Sequence, residues 1–236
     1  MVYGVYHPST FGMFKPDGAL SEPSEAQVDE VVEVFRREWP AEQIAKYEAF
    51  GPEGFRHYAL SKVSSREIDK FRRESQTGPV IAPLRPHAYT VKGRVPKLGA
   101  WLGVDDGLNL VADELRAIIE RLEPGVHQFW PVEVVLPTGA RPPHDYHALV
   151  IGQFRDSLLD ERSDLWESGR LRFAGDTTAK AFKRVVVSAD RIGSAHLWRE
   201  RRLAQPDICI SDAFHSAIAE AGLNVPTPKA LTVMAE

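Results

Sequence analysis

The chain has 236 residues, with 29 Lys and Arg against 33 Asp and Glu, for a formal charge of −4. That balance excludes a dedicated nucleic-acid binder, whose domain would be distinctly basic, and 43% hydrophobic with 26% charged residues excludes a disordered or fibrous chain. A single cysteine, Cys209, excludes an intrachain disulfide and a multi-cysteine zinc site.

Residues 1–11 lack a basic start followed by an apolar run, so no secretory leader is expected. No stretch approaches ~18 consecutive apolar residues, so no membrane span is expected, and the expected location is the cytoplasm. Residues 3–6 read as a strand or an extended arm, followed by a loop, in a segment rich in Gly, Pro, Ser and aromatics. Ser24 with Gln27 has the spacing of a capping box. Behind it Val28, Val31, Val32, Phe35 and Trp39 form an apolar stripe at helical intervals. Pro40 ends or kinks that helix, and a shorter one runs through Ile44, Tyr47 and Phe50. Ser64 with Glu67 predicts a short basic helix to about Ser75. Residues 77–103 are dense in Gly and Pro and read as loop with one strand at most, which sets the expected boundary. An N-terminal helical region, 1–95, is thus expected beside an α+β domain, 96–236.

Val111, Leu115, Ile118, Ile119 and Leu122 mark an amphipathic helix stopped by Pro124 and Gly125. Residues 126–136 then read as a strand with Val126, Trp130, Val132, Val134 and Leu136 on one face. Pro131 implies an edge or a bulge there. A turn at 138–144 leads to a return strand at 146–154, apolar on both faces as in a sheet centre. After a long loop come strands at 182–189, 195–199 and 208–210, with a turn at 190–193. Ser211 or Asp212 caps a last helix with Phe214, Ile218 and Ala221 inward and Gly222 as its stop, and residues 231–233 suit a closing strand. The expected fold class is α+β, a mixed, mainly antiparallel sheet flanked by helices. Within it Cys209, flanked by Ile208 and Ile210, suits a buried inert thiol.

Chemistry is sparse. No glycine-rich phosphate loop and no nucleophile elbow occur, so nucleotide binding and serine hydrolysis have no support. The one polar constellation is His144, Asp145 and His147, whose lone pairs could hold a metal ion. Adjacent residues on an extended chain point to opposite faces, however, and His147 alternates with Leu149 and Ile151 like a partly buried, hydrogen-bonded histidine. His127 and His196 lie in other strands. Two further features concern surfaces. Between Glu22 and Glu53 stand nine acids (Glu22, Glu25, Asp29, Glu30, Glu33, Glu38, Glu42, Glu48, Glu53) against Arg36, Arg37 and Lys46, while residues 55–97 hold ten basic residues to three acidic. Such a run is either a solvated helix face, neutralised in part by its basic neighbour, or a landing surface for a cationic protein. Of the five tryptophans, Trp39, Trp130 and Trp198 fit core patterns, whereas Trp101 and Trp166 fall in expected loops, where aromatics can anchor partners. Glu30, Glu33, Trp101 and Trp166 are therefore the candidate partner-binding residues.

Three segments carry a resemblance: Glu123-Pro124-Gly125-Val126-His127-Gln128-Phe129-Trp130-Pro131-Val132-Glu133 after a helix, then Val185-Val186-Val187 followed by His196-Leu197-Trp198-Arg199, then Ile210-Ser211-Asp212 opening a helix that ends in Ala221-Gly222-Leu223. In this order the chain, over about residues 98–231, resembles a family of immunity proteins of bacterial polymorphic toxin systems, the eleventh in that classification. One departure is Asn224-Val225-Pro226, where the family has a Thr-Gly pair before its last strand. The resemblance implies a cytosolic antidote that binds a toxin encoded by an adjacent gene, with no cofactor and no catalytic residue. It also implies framework roles: Pro124 and Gly125 turning the chain, Phe129 and Trp130 packing a strand, Asp212 capping the last helix. A nuclease toxin, with a cationic cleft, would suit the acidic segment. The alternatives are a metal-dependent enzyme built on His144, Asp145 and His147, and a non-catalytic accessory protein of a secretion system.

Overall fold

The computed structural model describes residues 1–6, 8, 10–22, 24–51, 53–62, 85–93, 97–104, 108–164, 182, 184–203 and 208–235. The expected basic helix after Ser64 and the loop holding Trp166 lie outside these residues. In chain order the elements are β1 (Val2–Val5), β2 (Gly18–Leu20), α1 (Glu25–Glu38), α2 (Ala41–Glu48), α3 (Gly54–Lys62), β3 (Ala88–Val91), β4 (Trp101–Gly103), β5 (Asn109–Ala112), α4 (Asp113–Leu122), β6 (Gln128–Val135), β7 (Tyr146–Val150), β8 (Phe154–Arg155), β9 (Val186–Ser188), α5 (Ala189–Ile192), β10 (Leu197–Glu200), β11 (Ile208–Ser211), α6 (Asp212–Glu220), β12 (Lys229–Ala230) and β13 (Thr232–Met234).

Two larger sheets dominate. One has the order β2-β3-β6-β7-β5-β4 and the other β12-β1-β11-β10-β8, while β13 pairs with β9 alone. Ladders are mainly antiparallel. The parallel ones are β3 with β6, β8 with β10 and β9 with β13. The fold is α+β. The N-terminal strand enters the sheet formed by the chain's other end: Val2 faces Ser211 and Tyr3 faces both Ile210 and Ala230.

Side-chain period two sorts the strands' residues into separate cores. Tyr3, Val5, Leu197, Ile208 and Ile210 from one sheet and Trp101, Val111 and Leu149 from the other bury together with Leu115, Ile118 and Ile119 of α4 and Phe214 and Ile218 of α6. Their neighbours along the strands point the other way. Val2, Trp198 and Cys209 pack on Phe182, Val185 and Val187, so Cys209 is the buried thiol expected. Tyr89, Leu102, Leu110, Val132, Val134, Tyr146 and Ala148 fill a third cluster. Helices α1–α3 carry a small core of their own, Val28, Val32, Phe55 and Ala59. There a Cβ on Gly54 would collide with the carbonyl of Tyr47, so only glycine lets α3 start so close to α2.

Local signals held where chemistry was local. The Ser24 side chain accepts from the Gln27 N–H while the Gln27 side chain accepts from the Ser24 N–H, a complete capping box. Four expectations need correction. Val111 belongs to β5, not to the helix, which starts at Asp113 with two acids in its first turn; Val111 stands four residues before Leu115, so it mimics helical spacing. Residues 190–192 belong to helix α5, capped by Ser188, and the turn expected from 190 begins only at Gly193. In α6 Ser211, not Asp212, is the cap, its oxygen accepting from the Phe214 N–H at 3.2 Å, and Ala221 is exposed. Pro131 sits in an interior strand, but β3 pairs only with Glu133, Val134 and Val135. The Glu133 N–H donates to the His87 carbonyl, so by period two Pro131's missing N–H faces beyond the end of β3, where no ladder bond is lost. Helix α3 had no sequence signal.

Candidate functional site

The polar constellation comes apart. Asp145 is exposed and pairs with Arg141 at 3.2 Å. His144 places Nδ1 3.5 Å from a Glu114 oxygen. His147 accepts from Arg116 Nη1 at Nε2, 3.0 Å away, and its Nδ1 lies 3.7 Å from Asp113. Because a guanidinium only donates, the Nε2 lone pair of His147 is already used. Burial, reinforced by the Arg116 charge and opposed in part by Asp113, Glu120 and Asp145, pushes the His147 pKa below its ordinary value. Among the described residues no group of three or more His, Cys, Asp or Glu is placed to hold a metal ion.

The proposed partner contacts also divide. Glu30 and Glu33 are exposed on α1, with Glu33 3.1 Å from Arg36. Trp101 corrects the expected loop. It opens β4, is fully buried, and its indole Nε1 donates to Asn109 Oδ1 at 2.9 Å. Its ring packs near Phe214, so it has no surface with which to anchor a partner.

What the structure does assemble is a buried carboxylate with four donors. Glu123 ends α4, 7% exposed. Its Oε2 accepts from His127 Nε2 at 2.8 Å and from the Leu197 N–H at 2.9 Å. Its Oε1 accepts from the His196 N–H at 2.7 Å and from Gln153 Nε2 at 2.5 Å. His127 in turn accepts the Gly152 N–H at Nδ1, 3.1 Å away, which fixes its proton on Nε2. Gln153 Nε2 also donates to the Leu197 carbonyl at 2.8 Å. Burial alone would raise the Glu123 carboxyl, but these hydrogen bonds outweigh it and hold the pKa below the usual carboxylate range. Every polar atom of the carboxylate is consumed, so the hub is structural: it ties the end of α4 and the segment after β7 to the start of β10. Sequence reasoning discounted His127 and His196 and did not reach Glu123 or Gln153. The i, i+4 spacing of Glu123 and His127 around Pro124-Gly125 was the available signal.

A second buried carboxylate differs. Glu200, fully buried, accepts at Oε2 from the Ser157 hydroxyl at 2.6 Å and the Ser157 N–H at 3.0 Å. Burial raises its pKa despite these bonds, and Asp156 adds to the rise.

The hub residues Glu123 and His127 open the first of the three segments that suggested a family, and His196 and Leu197 lie in the second. The family model described as immunity protein family (Imm11) matches residues 61–230. The chain belongs to the Imm11 immunity protein family. The Imm11 match starts earlier than the resembling segments, taking in β3, and leaves α1, α2 and most of α3 before it. No curated protein matches the chain. In the Imm11 frame, Pro124 and Gly125 turn the chain as the resemblance implied, Gly125 at φ 73°, and Phe129 and Trp130 pack half-buried against two different cores.

Proposed function

We propose that this Imm11 protein is a cytoplasmic antidote that binds and neutralises a cognate bacterial toxin encoded by an adjacent gene, through surface complementarity and without catalysis. The observation that carries this reading is the family match joined to the fate of the buried polar groups. Glu123, His127 and Glu200 are buried and committed to internal hydrogen bonds. An inhibitor needs a stable scaffold and a complementary exterior, burying ~1,600 Å² with a few anchors dominating. Glu30 and Glu33 stand on the exposed, acidic side of α1, where they suit a cationic partner surface and repel nucleic acid. Among the described residues no helix is long and apolar enough to cross a membrane.

The test is co-expression with the toxin encoded beside this gene in a sensitive host. Survival that depends on this chain, with a stable complex recovered from the cells, is the expected result. Killing that proceeds unchanged in its presence, or survival without it, overturns the reading.

A further inference from the structure

Helices α1–α3 present a face that neither large sheet uses. None of the α2 residues is buried. Ile44 and Tyr47 only partly cover the small core of Val28, Val32, Phe55 and Ala59, and Phe50, two residues beyond α2, is 77% exposed with its ring 6.4 Å from that of Tyr47. A large apolar ring held so far into water gains nothing from the fold that carries it.

The rim around this face is charged and held in place. Glu33 and Glu48 lie 3.1 and 3.4 Å from Arg36, and Glu25, Asp29 and Glu53 gather on Arg56. Five carboxylates thus share two guanidiniums, so these two clusters carry a net negative charge, while Lys46 lies over the Tyr47 ring. The flanking Glu42 is exposed as well.

We propose that the α2 face with Phe50 is the docking surface for the toxin, and that the toxin offers it a basic surface with an apolar recess for the Phe50 ring. This rests on the immunity reading above and names the surface that performs it. An exposed aromatic within a charged rim is the arrangement that dominates interface energetics. Arginines that already fix the carboxylates reduce the side-chain freedom lost on association. Negative charge disfavours nucleic acid and anionic lipid, so a basic protein surface is the complementary occupant. Helices α1 and α2, with Phe50, also lie before residue 61, outside the matched span, so the shared family framework does not account for them.

The experiment titrates the full chain with the purified, catalytically inactivated domain of the adjacent toxin, at about 50 and about 300 mM salt, either side of the range where screening is strong. Phe50→Ser weakens binding about 30-fold, as expected of an anchor. Glu42→Lys weakens it about threefold or more at low salt and less at high salt. Glu220→Lys, on α6 against the other sheet, leaves it unchanged. Both α2-face positions are exposed, and circular dichroism checks that helix content is kept. Wild-type binding by the two variants overturns this surface while leaving the immunity reading intact. Failure of the unaltered chain to bind the toxin at either salt overturns the immunity reading itself.

Discussion

Two buried glutamates, each replaced by glutamine, should move stability in different directions. Glu123 receives donors on both oxygens, and one donor on each is a backbone N–H: His196 on Oε1 and Leu197 on Oε2. Whichever oxygen becomes an amide NH2, a backbone N–H that cannot turn away is left facing it. Gln153 cannot flip to compensate, because its Nε2 also donates to the Leu197 carbonyl and its Oε1 accepts from Arg155. Two charge-assisted bonds are lost in either orientation, at about 1.5–3 kcal/mol each. Glu123→Gln should therefore cost about 3–6 kcal/mol, a large part of the ~5–15 kcal/mol that holds a domain folded. In a chain of this size that lowers Tm by about 6–24 °C. Glu200 has its donors on one oxygen, both from Ser157, with only a distant Arg202 N–H on the other. Glutamine keeps the two good bonds and removes an ionisable group whose charged form burial disfavours, so Glu200→Gln should be neutral or stabilising at pH 7. The pH signs follow. Glu123 has a lowered folded pKa, so its contribution is full above about 4.5 and is lost as pH falls through the folded value. Glu200 has a raised one, so the folded state loses stability as pH rises from about 4.5 through the folded value, and the gain from Glu200→Gln disappears in acid. Calorimetry at pH 7 and pH 4 reads both effects. Equal melting temperatures for the two variants at pH 7 would refute the assignment of four donors to Glu123.

Other outcomes follow from single contacts. Trp101→Phe removes the indole N–H from buried Asn109 and should cost about 1–3 kcal/mol in urea unfolding; if toxin binding falls with no loss of stability, the core placement is wrong. Ser211→Ala removes the α6 cap and the 2.8 Å contact with His196, costing about 1–2 kcal/mol, more than Asp212→Asn, which keeps an acceptor for the Tyr3 hydroxyl; the reverse order would return the cap to Asp212. His147, with its lowered pKa, makes the fold lose stability as pH drops below about 6.5, with a slope of at most about 1.4 kcal/mol per pH unit. His147→Gln, which still accepts from Arg116, should flatten that slope, and an unchanged profile would show that another group titrates.

Elements written in local chemistry were legible. The Ser24 box, the α4 stripe, the Pro124-Gly125 stop and the strands β6 and β7 each need only a few neighbouring residues to specify them. What escaped depends on distant partners. A three-residue strand such as β4, set among glycines, is too short to show alternation, so Trp101 read as loop although β5 on one side and core on the other hold it. The pairing of Val2 with Ser211 has no trace in periodicity at all. The metal-like cluster at residues 144–147 illustrates the converse. Residue types and proximity suggested chemistry, yet Arg116 and Arg141, from outside the motif, take the histidine and carboxylate lone pairs one by one. The expectation for His147 alone, a partly buried ring with a hydrogen bond, is what the structure has.

The position of the Glu123 hub explains why the chain keeps a charge in its interior. The hydrophobic attraction between sheets is non-directional and so by itself tolerant of small slides. Hydrogen bonds from two consecutive N–H groups to one carboxylate are not tolerant, since they weaken steeply with misalignment. Glu123 accepts from His196 and Leu197 at the start of β10 and, through His127 and Gln153, grips the chain just after β7. One side chain thereby fixes the register between the sheet containing β7 and the sheet containing β10, which otherwise meet across an apolar core. A protein that works by the shape of its exterior loses affinity whenever its framework relaxes before binding, because that freedom must then be removed on association. A buried ionic hub is a poor source of net stability but a strict one of geometry, and geometry is what the proposed binding role asks of its framework.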